Sequence, residues 1–115
     1  MRHSGDFARA IRSGSRAGSQ HLVVHLLAPV LDLSDPASAP AQVGFVVSKA
    51  VGGAVQRNRV KRRLRDIMRS RVGDLPDGTL AVVRALPSSS GASYTELSDA
   101  VVRSIDMATR RQRRS

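Results

Sequence analysis

The chain has 115 residues, a net charge of +10 and no cysteine. One hydrophobic core fits this length, so we expect a single domain over residues 1–115, with about 1–5 and 110–115 flexible. Disulfides and thiolate metal sites are excluded, and no apolar run reaches the roughly 20 residues that span a bilayer. We expect a cytoplasmic protein without a membrane partner, whose positive charge is neutralised by nucleic acid.

The first third of the chain predicts one helix, one strand and two loops. Residues 6–13 have apolar side chains at helical spacing, which indicates a short amphipathic helix. Two glycines among serines over residues 14–18 predict a loop. Residues 21–27, HLVVHLL, predict a strand with Leu22, Val24 and Leu26 on one side and His21, Val23 and His25 on the other. The three prolines of residues 28–41 then predict an exposed loop, because proline cannot donate to a strand ladder.

The remaining chain predicts two strands and two helices. Valine-rich residues 43–48 indicate a second strand, and a long basic helix follows over about 55–71. Residues 79–86, TLAVVRAL, predict a third strand. A last helix is expected over 93–109, with Ser93 or Thr95 as its N-cap.

The resulting order, α-β-β-α-β-α, predicts an α+β fold with helices packed on one small mixed sheet. In this order, the second and third strands flank the basic helix. By the general rule for parallel strands, such a strand–helix–strand unit has a right-handed crossover.

The long basic helix has two different sides. At about 100° per residue, its apolar residues fall within about a third of a turn. This predicted buried stripe comprises Val60, Leu64, Ile67 and Met68. The opposite side has what we call the basic stripe, which comprises Asn58, Arg62, Arg65 and Arg69. Eight basic residues between 57 and 71 accompany one acid, Asp66, whereas a solvated face normally mixes both signs. The imbalance predicts phosphate binding with little sequence preference.

The acids and histidines do not form a recognisable catalytic pattern. A nuclease with its own active site needs metal-binding carboxylates or paired histidines. The nine acids are dispersed along the chain, and His21 and His25 lack a third ligand for zinc. We therefore assign no catalytic residue and no metal site to the protein, and we expect Asp66 to be a helix salt-bridge partner.

A specific motif occurs at residues 43–66, VGFVVSKAVGGAVQRNRVKRRLRD. A valine-rich strand, Ser48-Lys49 and a glycine-containing turn precede a basic cluster made of Arg57, Asn58, Arg59, Lys61, Arg62 and Arg65. This arrangement resembles the signature of the bacterial ribonuclease P protein subunit, and further landmarks in the right order extend the resemblance over nearly the whole chain. It implies a partner of ribonuclease P RNA in the endonucleolytic removal of the 5′ leader from precursor tRNA. Hydrolysis would then belong to magnesium bound mainly by the RNA, with no small-molecule substrate.

The resemblance also implies two RNA-binding sites and an unusual topology. Contacts with the RNA subunit fall to the basic cluster, to which the basic stripe adds Arg69. The leader is expected in a separate cleft lined by Phe7, Ile11, Val23, His25 and Lys49. Ile11 and His25 stand where aromatic rings are common, so leader affinity is expected to be weaker or to rest more on arginine and histidine. The implied crossover is left-handed, as in domain 2 of ribosomal protein S5.

Two other functions agree with the same composition. A ribosomal or assembly-type structural protein would need a similar basic helix, and a non-specific nucleic-acid binder would need only the charge. A leader-binding cleft would distinguish a ribonuclease P subunit from the first alternative. Selective binding of one RNA would distinguish it from the second.

Overall fold

A computed structural model describes residues 14–27, 41–75 and 78–114. The strands are β1 (Ser15–Gly18), β2 (Leu22–Leu27), β3 (Gln42–Val46) and β4 (Leu80–Ala85), and the helices are α1 (Ala54–Arg69) and α2 (Tyr94–Arg114). Short 3-10 turns cover Lys49–Val51, Val72–Asp74 and Pro87–Gly91. The predicted helix over residues 6–13 and almost all of the proline-rich loop lie outside these ranges.

The four strands form one mixed sheet with the order β1-β2-β4-β3. β2 pairs antiparallel with both β1 and β4, whereas β3 and β4 are parallel. Two parallel neighbours require a crossover connection, and α1 lies in that connection. The predicted α+β architecture is therefore confirmed. The hand of the crossover stays a prediction.

The core lies between one face of the sheet and the two helices. From β2 it contains Leu22, Val24 and Leu26, the alternate residues predicted to share one side. The predicted apolar stripe of α1 is buried at all four positions: Val60, Leu64, Ile67 and Met68. From α2 it contains Leu97, Ala100, Val101 and Ala108. Because α1 buries only this stripe, its basic stripe is directed away from the sheet.

The loop predicted at residues 14–18 is wrong, because β1 occupies most of this segment. Ala17 lies opposite Val24 and is 1% exposed, so it is part of the core. A side chain at Gly18 would crowd Val23, since a Cβ there would lie 3.2 Å from Val23 Cγ2. Four residues with serine and glycine are too few to display a strand period, and pairing with β2 makes them a strand.

The last helix begins where expected and continues further. Of the two N-cap candidates, Ser93 is the cap, since its Oγ accepts a hydrogen bond from the Glu96 backbone N at 3.0 Å. Glu96 Oε1 accepts one from the Ser93 backbone N at 2.8 Å, which completes a capping box and lowers the pKa of Glu96.

The helix runs to Arg114, so the predicted end at residue 109 is wrong. Apolar periodicity stops near Ala108, but good helix formers such as arginine continue the helix beyond it. Residues 110–114 belong to this helix, their flexibility stays a prediction, and residues 1–5 lie outside the described ranges. No helix in the described ranges is both long enough and apolar enough to cross a membrane.

Candidate nucleic-acid interface

A tight glycine turn precedes the basic helix. Ser48 caps the short 3-10 turn by accepting a hydrogen bond from the Ala50 backbone N at 3.3 Å. Gly52 follows with φ of 150°, and a Cβ there would lie 3.0 Å from Gln56 Cβ. Glycine is therefore required at this position by conformation and by space. No acid occupies the first turn of α1, so the positive end of its dipole adds to the local positive charge.

All seven predicted RNA-subunit contacts have side chains at the surface. Those that are exposed are Asn58, Arg59, Arg62, Arg65 and Arg69. Arg57 and Lys61 are half-buried at the flank of the helix, and Arg57 Nε is buried without a hydrogen-bond partner among the described residues. The helix thus presents four exposed guanidinium groups to solvent, those of Arg59, Arg62, Arg65 and Arg69, which suits bidentate contacts to phosphate.

Two side chains of α1 connect this helix to the start of α2. Arg63 Nη1 donates a hydrogen bond to the Ala92 carbonyl at 3.1 Å. Asp66 accepts one from the Tyr94 hydroxyl at 2.5 Å and pairs with Arg69 at 3.3 Å. The hydrogen bond to Asp66 is the main reason that the pKa of Tyr94 is raised. Asp66 is a salt-bridge partner, as predicted, and it neutralises part of the charge at Arg69.

The predicted leader-binding residues are only partly within the described ranges. Phe7 and Ile11 lie outside them. Val23 and His25 lie on the face of β2 that is turned away from the helices, and they are 9% and 4% exposed. Lys49 is exposed three residues beyond the end of β3. Val46, at that end, lies opposite Arg84, on the same face as Val23.

His25 is a buried, neutral histidine among positive charges. Its pKa is lowered first by burial and then by the charges of Arg16 and Arg84. Its Nδ1 atom is buried and has no hydrogen-bond partner in the described part of the chain. A buried polar atom without a hydrogen-bond partner is uncommon in proteins, and His25 lies on the side of the sheet that carries Arg16 and Arg84.

Sequence reasoning missed Arg16 and Arg84, which are exposed on the same face as His25. Arg16 lies directly opposite His25, and Arg84 directly opposite Val23. No acid occurs in any of the four strands. We call this surface, formed by Arg16, Val23, His25 and Arg84, the basic sheet face. A single arginine in the apolar strand β4 could have indicated that Arg84 lies at the surface. Arg16 gave no such signal, because its segment has the composition of a loop.

The described residues include no group of three or more His, Cys, Asp or Glu that could hold a metal ion. His21 is engaged in the structure, since its Nδ1 lies 2.8 Å from Ser88 Oγ. The Ser88 hydroxyl donates to the Gln20 carbonyl at 2.8 Å, so His21 Nδ1 is the donor in the first bond. His21 and His25 belong to different environments and do not form a pair.

Comparison with known proteins identifies the family. The family model described as Ribonuclease P matches residues 1–109. The ribonuclease P protein component of Streptomyces avermitilis is 54% identical over 99 residues, which are 84% of this chain and 80% of that protein. The one from Streptomyces bikiniensis is 49% identical over 113 residues, 96% of this chain and 89% of that protein.

Solved structures show the same fold at lower identity. The Staphylococcus aureus RNase P protein superposes with a TM-score of 0.75 at 19% identity, covering 94% of this chain and 93% of that one. The Thermotoga maritima RNase P protein gives 0.71 at 22% identity, with 96% and 94% covered. Because the family model spans nearly the whole sequence and these relatives share about half of their aligned residues with it, the chain belongs to the ribonuclease P protein family.

Proposed function

We propose that this ribonuclease P subunit binds two RNAs at once: its RNA subunit through α1 and the 5′ leader of precursor tRNA through the basic sheet face. Membership of the family makes the ribonuclease P RNA its partner and tRNA processing its context. One observation carries the finer proposal. The basic stripe and the basic sheet face lie on opposite sides of the sheet, since α1 packs on the face that the basic sheet face does not use.

The surface of α1 suits a structured RNA. Its exposed arginines neutralise phosphates without reading bases, and the deep groove of A-form RNA is recognised mainly in this way. Asp66, the one acid between residues 57 and 71, is occupied by Arg69 and Tyr94, so it does not repel phosphates near Arg62 and Arg65. The affinity of α1 for RNA is expected to fall steeply with salt, because binding releases counterions.

The basic sheet face suits a single strand. Arg16 on β1 and Arg84 on β4 are exposed, and Lys49 is exposed in the turn after β3, so these three residues can provide separate contacts to an extended sugar–phosphate backbone. His25 is neutral at pH 7, because its pKa is lowered from 6.5, and it offers a nitrogen without a partner. This composition supports leader binding that depends on charge and hydrogen bonds more than on stacking.

We assign the chemistry of cleavage to the RNA subunit and its magnesium ions, which supply hydrolysis when bound. The acids of the described ranges are dispersed over helices and turns, which supports a protein that holds no catalytic metal by itself. Its positive surfaces lower the repulsion between two polyanions and position the leader. We place this activity in the cytoplasm.

The test is precursor-tRNA cleavage by a bacterial ribonuclease P RNA at low magnesium, with and without the purified protein. We expect stimulation of cleavage, and a higher affinity of the complex for leader-bearing precursor than for mature tRNA. A protein that binds the RNA but does not stimulate cleavage would favour the alternative of a structural or assembly-type RNA-binding protein. Equal affinity for random duplex DNA at physiological salt would favour a non-specific binder.

A further inference from the structure

An exposed aromatic ring lies at the side of the basic helix. Tyr94 is the first residue of α2 and is 43% exposed. Phe45, the other aromatic residue in the described ranges, packs against the core. Aromatic residues are usually buried for their large apolar area, so an exposed ring in a chain with only three of them calls for an explanation.

The ring is held at its tip by α1. The Tyr94 hydroxyl donates to Asp66 Oδ2 at 2.5 Å, and Asp66 Oδ1 is held by Arg69 at 3.3 Å. The backbone just before Tyr94 is held as well, since Arg63 donates to the Ala92 carbonyl at 3.1 Å. The side chain is therefore fixed at both ends while much of its surface stays in contact with solvent.

Two exposed arginines lie near Asp66, the residue that holds the Tyr94 hydroxyl. Arg62 lies four residues before Asp66 and Arg69 three residues after it, so all three share one side of α1. Arg62 and Arg69 are both exposed. An oriented aromatic ring attached to a side of α1 that carries two exposed guanidinium groups is a combination that binds an unpaired nucleotide, with the base stacked on the ring and the phosphates on the arginines.

A purely structural role explains these contacts less well. Asp66 has a side chain that is 53% exposed, and a hydrogen bond in such a position contributes little to stability. A ring that served mainly to join the two helices would be expected to bury its faces between them. The observed hydrogen bond orients the ring more than it stabilises the fold.

We propose that Tyr94 is a stacking site for an unpaired base of the RNA that α1 binds, with Arg62 and Arg69 contacting the neighbouring phosphates. This inference rests on the proposed function of α1. It assigns a base contact to a surface that otherwise recognises only the backbone, and it extends the RNA interface from α1 to the start of α2.

The first test compares Tyr94→Phe with Tyr94→Leu in binding to ribonuclease P RNA at physiological salt, after circular dichroism has confirmed both folds. Loss of stacking predicts an affinity for Tyr94→Leu that is lower by roughly 5- to 150-fold. Tyr94→Phe keeps the ring and is expected to stay within about threefold of the wild type. An equal loss in both variants would assign the effect to the hydrogen bond and overturn the proposal, as would unchanged binding of Tyr94→Leu.

The second test uses fluorescence, because the chain has no tryptophan. Tyr94→Trp introduces one reporter that can be excited where RNA does not absorb, and stacking on a base is expected to quench it. Met107→Trp is the matched control, since Met107 is 45% exposed and lies about 20 Å further along α2. Equal quenching at both positions, or none at position 94, would contradict stacking.

The two tests also separate this inference from the proposed function. If Tyr94→Leu binds as well as the wild type while loss of Arg62 and Arg65 weakens binding, the stacking site is wrong and the proposed function stands. If the wild-type protein shows no preference for ribonuclease P RNA over random duplex, the proposed function is wrong and the stacking site with it.

Discussion

The basic stripe of α1 and the basic sheet face are both positively charged, but they are built differently. The stripe comes from one continuous segment whose other side fills the core, so its charged residues project into solvent without supporting the fold. The sheet face is assembled from β1, β2 and β4, and its centre, His25, is buried at 4% exposure. Substitutions in the basic stripe should therefore affect binding alone, whereas those at the centre of the sheet face should also affect stability.

The largest effect is expected from removing two arginines of the stripe. Arg62→Ala combined with Arg65→Ala should weaken assembly with ribonuclease P RNA by roughly 10- to 100-fold, since each loses charge-assisted contacts to phosphate. The salt dependence of binding should decrease by about two phosphate equivalents. Filter binding across a salt series measures both quantities.

The charge-matched control for this pair is Arg103→Ala with Arg110→Ala, two exposed arginines of α2. It should cost less affinity, because it leaves α1 intact. Circular dichroism should show native helix content in both double variants. An unfolded Arg62/Arg65 variant would mean that the stripe is not a free surface.

An intermediate effect is expected on the sheet face. Arg16→Ala with Arg84→Ala should reduce the affinity of the assembled holoenzyme for leader-bearing precursor by roughly 5- to 20-fold. The affinity for mature tRNA should not change. Neither residue is buried, so the variant should fold. Competition binding with the two substrates provides the measurement. An equal loss for both would mean that these arginines do not contact the leader.

The smallest effect concerns His25 and the pH dependence of stability. Its pKa is lower in the folded protein than the usual 6.5, so the unfolded chain binds the proton first as the pH falls. The contribution of His25 to the free energy of unfolding should be fully present above about pH 6.5. It should decrease as the pH falls below that value, until the folded-state pKa is reached. Urea denaturation at several pH values, compared with His25→Gln, measures this contribution.

Every other ionisable group is the same in both proteins, so the difference between their stability profiles isolates His25. The wild type should lose more stability between neutral and mildly acidic pH than His25→Gln does. An identical pH dependence of stability in the two proteins would mean that His25 is hydrated in solution. The basic sheet face would then not have a buried centre, and its contrast with the exposed basic stripe would be lost.

Much of the fold was predictable from local patterns. The helical period identified the apolar stripe of α1 at Val60, Leu64, Ile67 and Met68, and all four residues are buried. Alternation identified the core side of β2. These predictions succeeded because a helix or strand of several residues shows its period within its own sequence.

Pairing over long sequence distances was not predictable in the same way. β1 has four residues and is a strand only because it pairs with β2, and Arg16 acquires a face only through that pairing. The hydrogen bond from Tyr94 to Asp66 joins two helices through residues that are 28 positions apart in the sequence. No local period reports such contacts.

The sequence by itself therefore determined that the chain has a basic helix with a buried opposite side, together with a motif typical of one RNA-processing family. Both properties belong to a contiguous segment, where spacing alone sets which residues share a face. Only the tertiary structure decided that a second basic surface surrounds His25 and that an aromatic ring is held beside α1, because these surfaces combine residues brought together by strand pairing and helix packing.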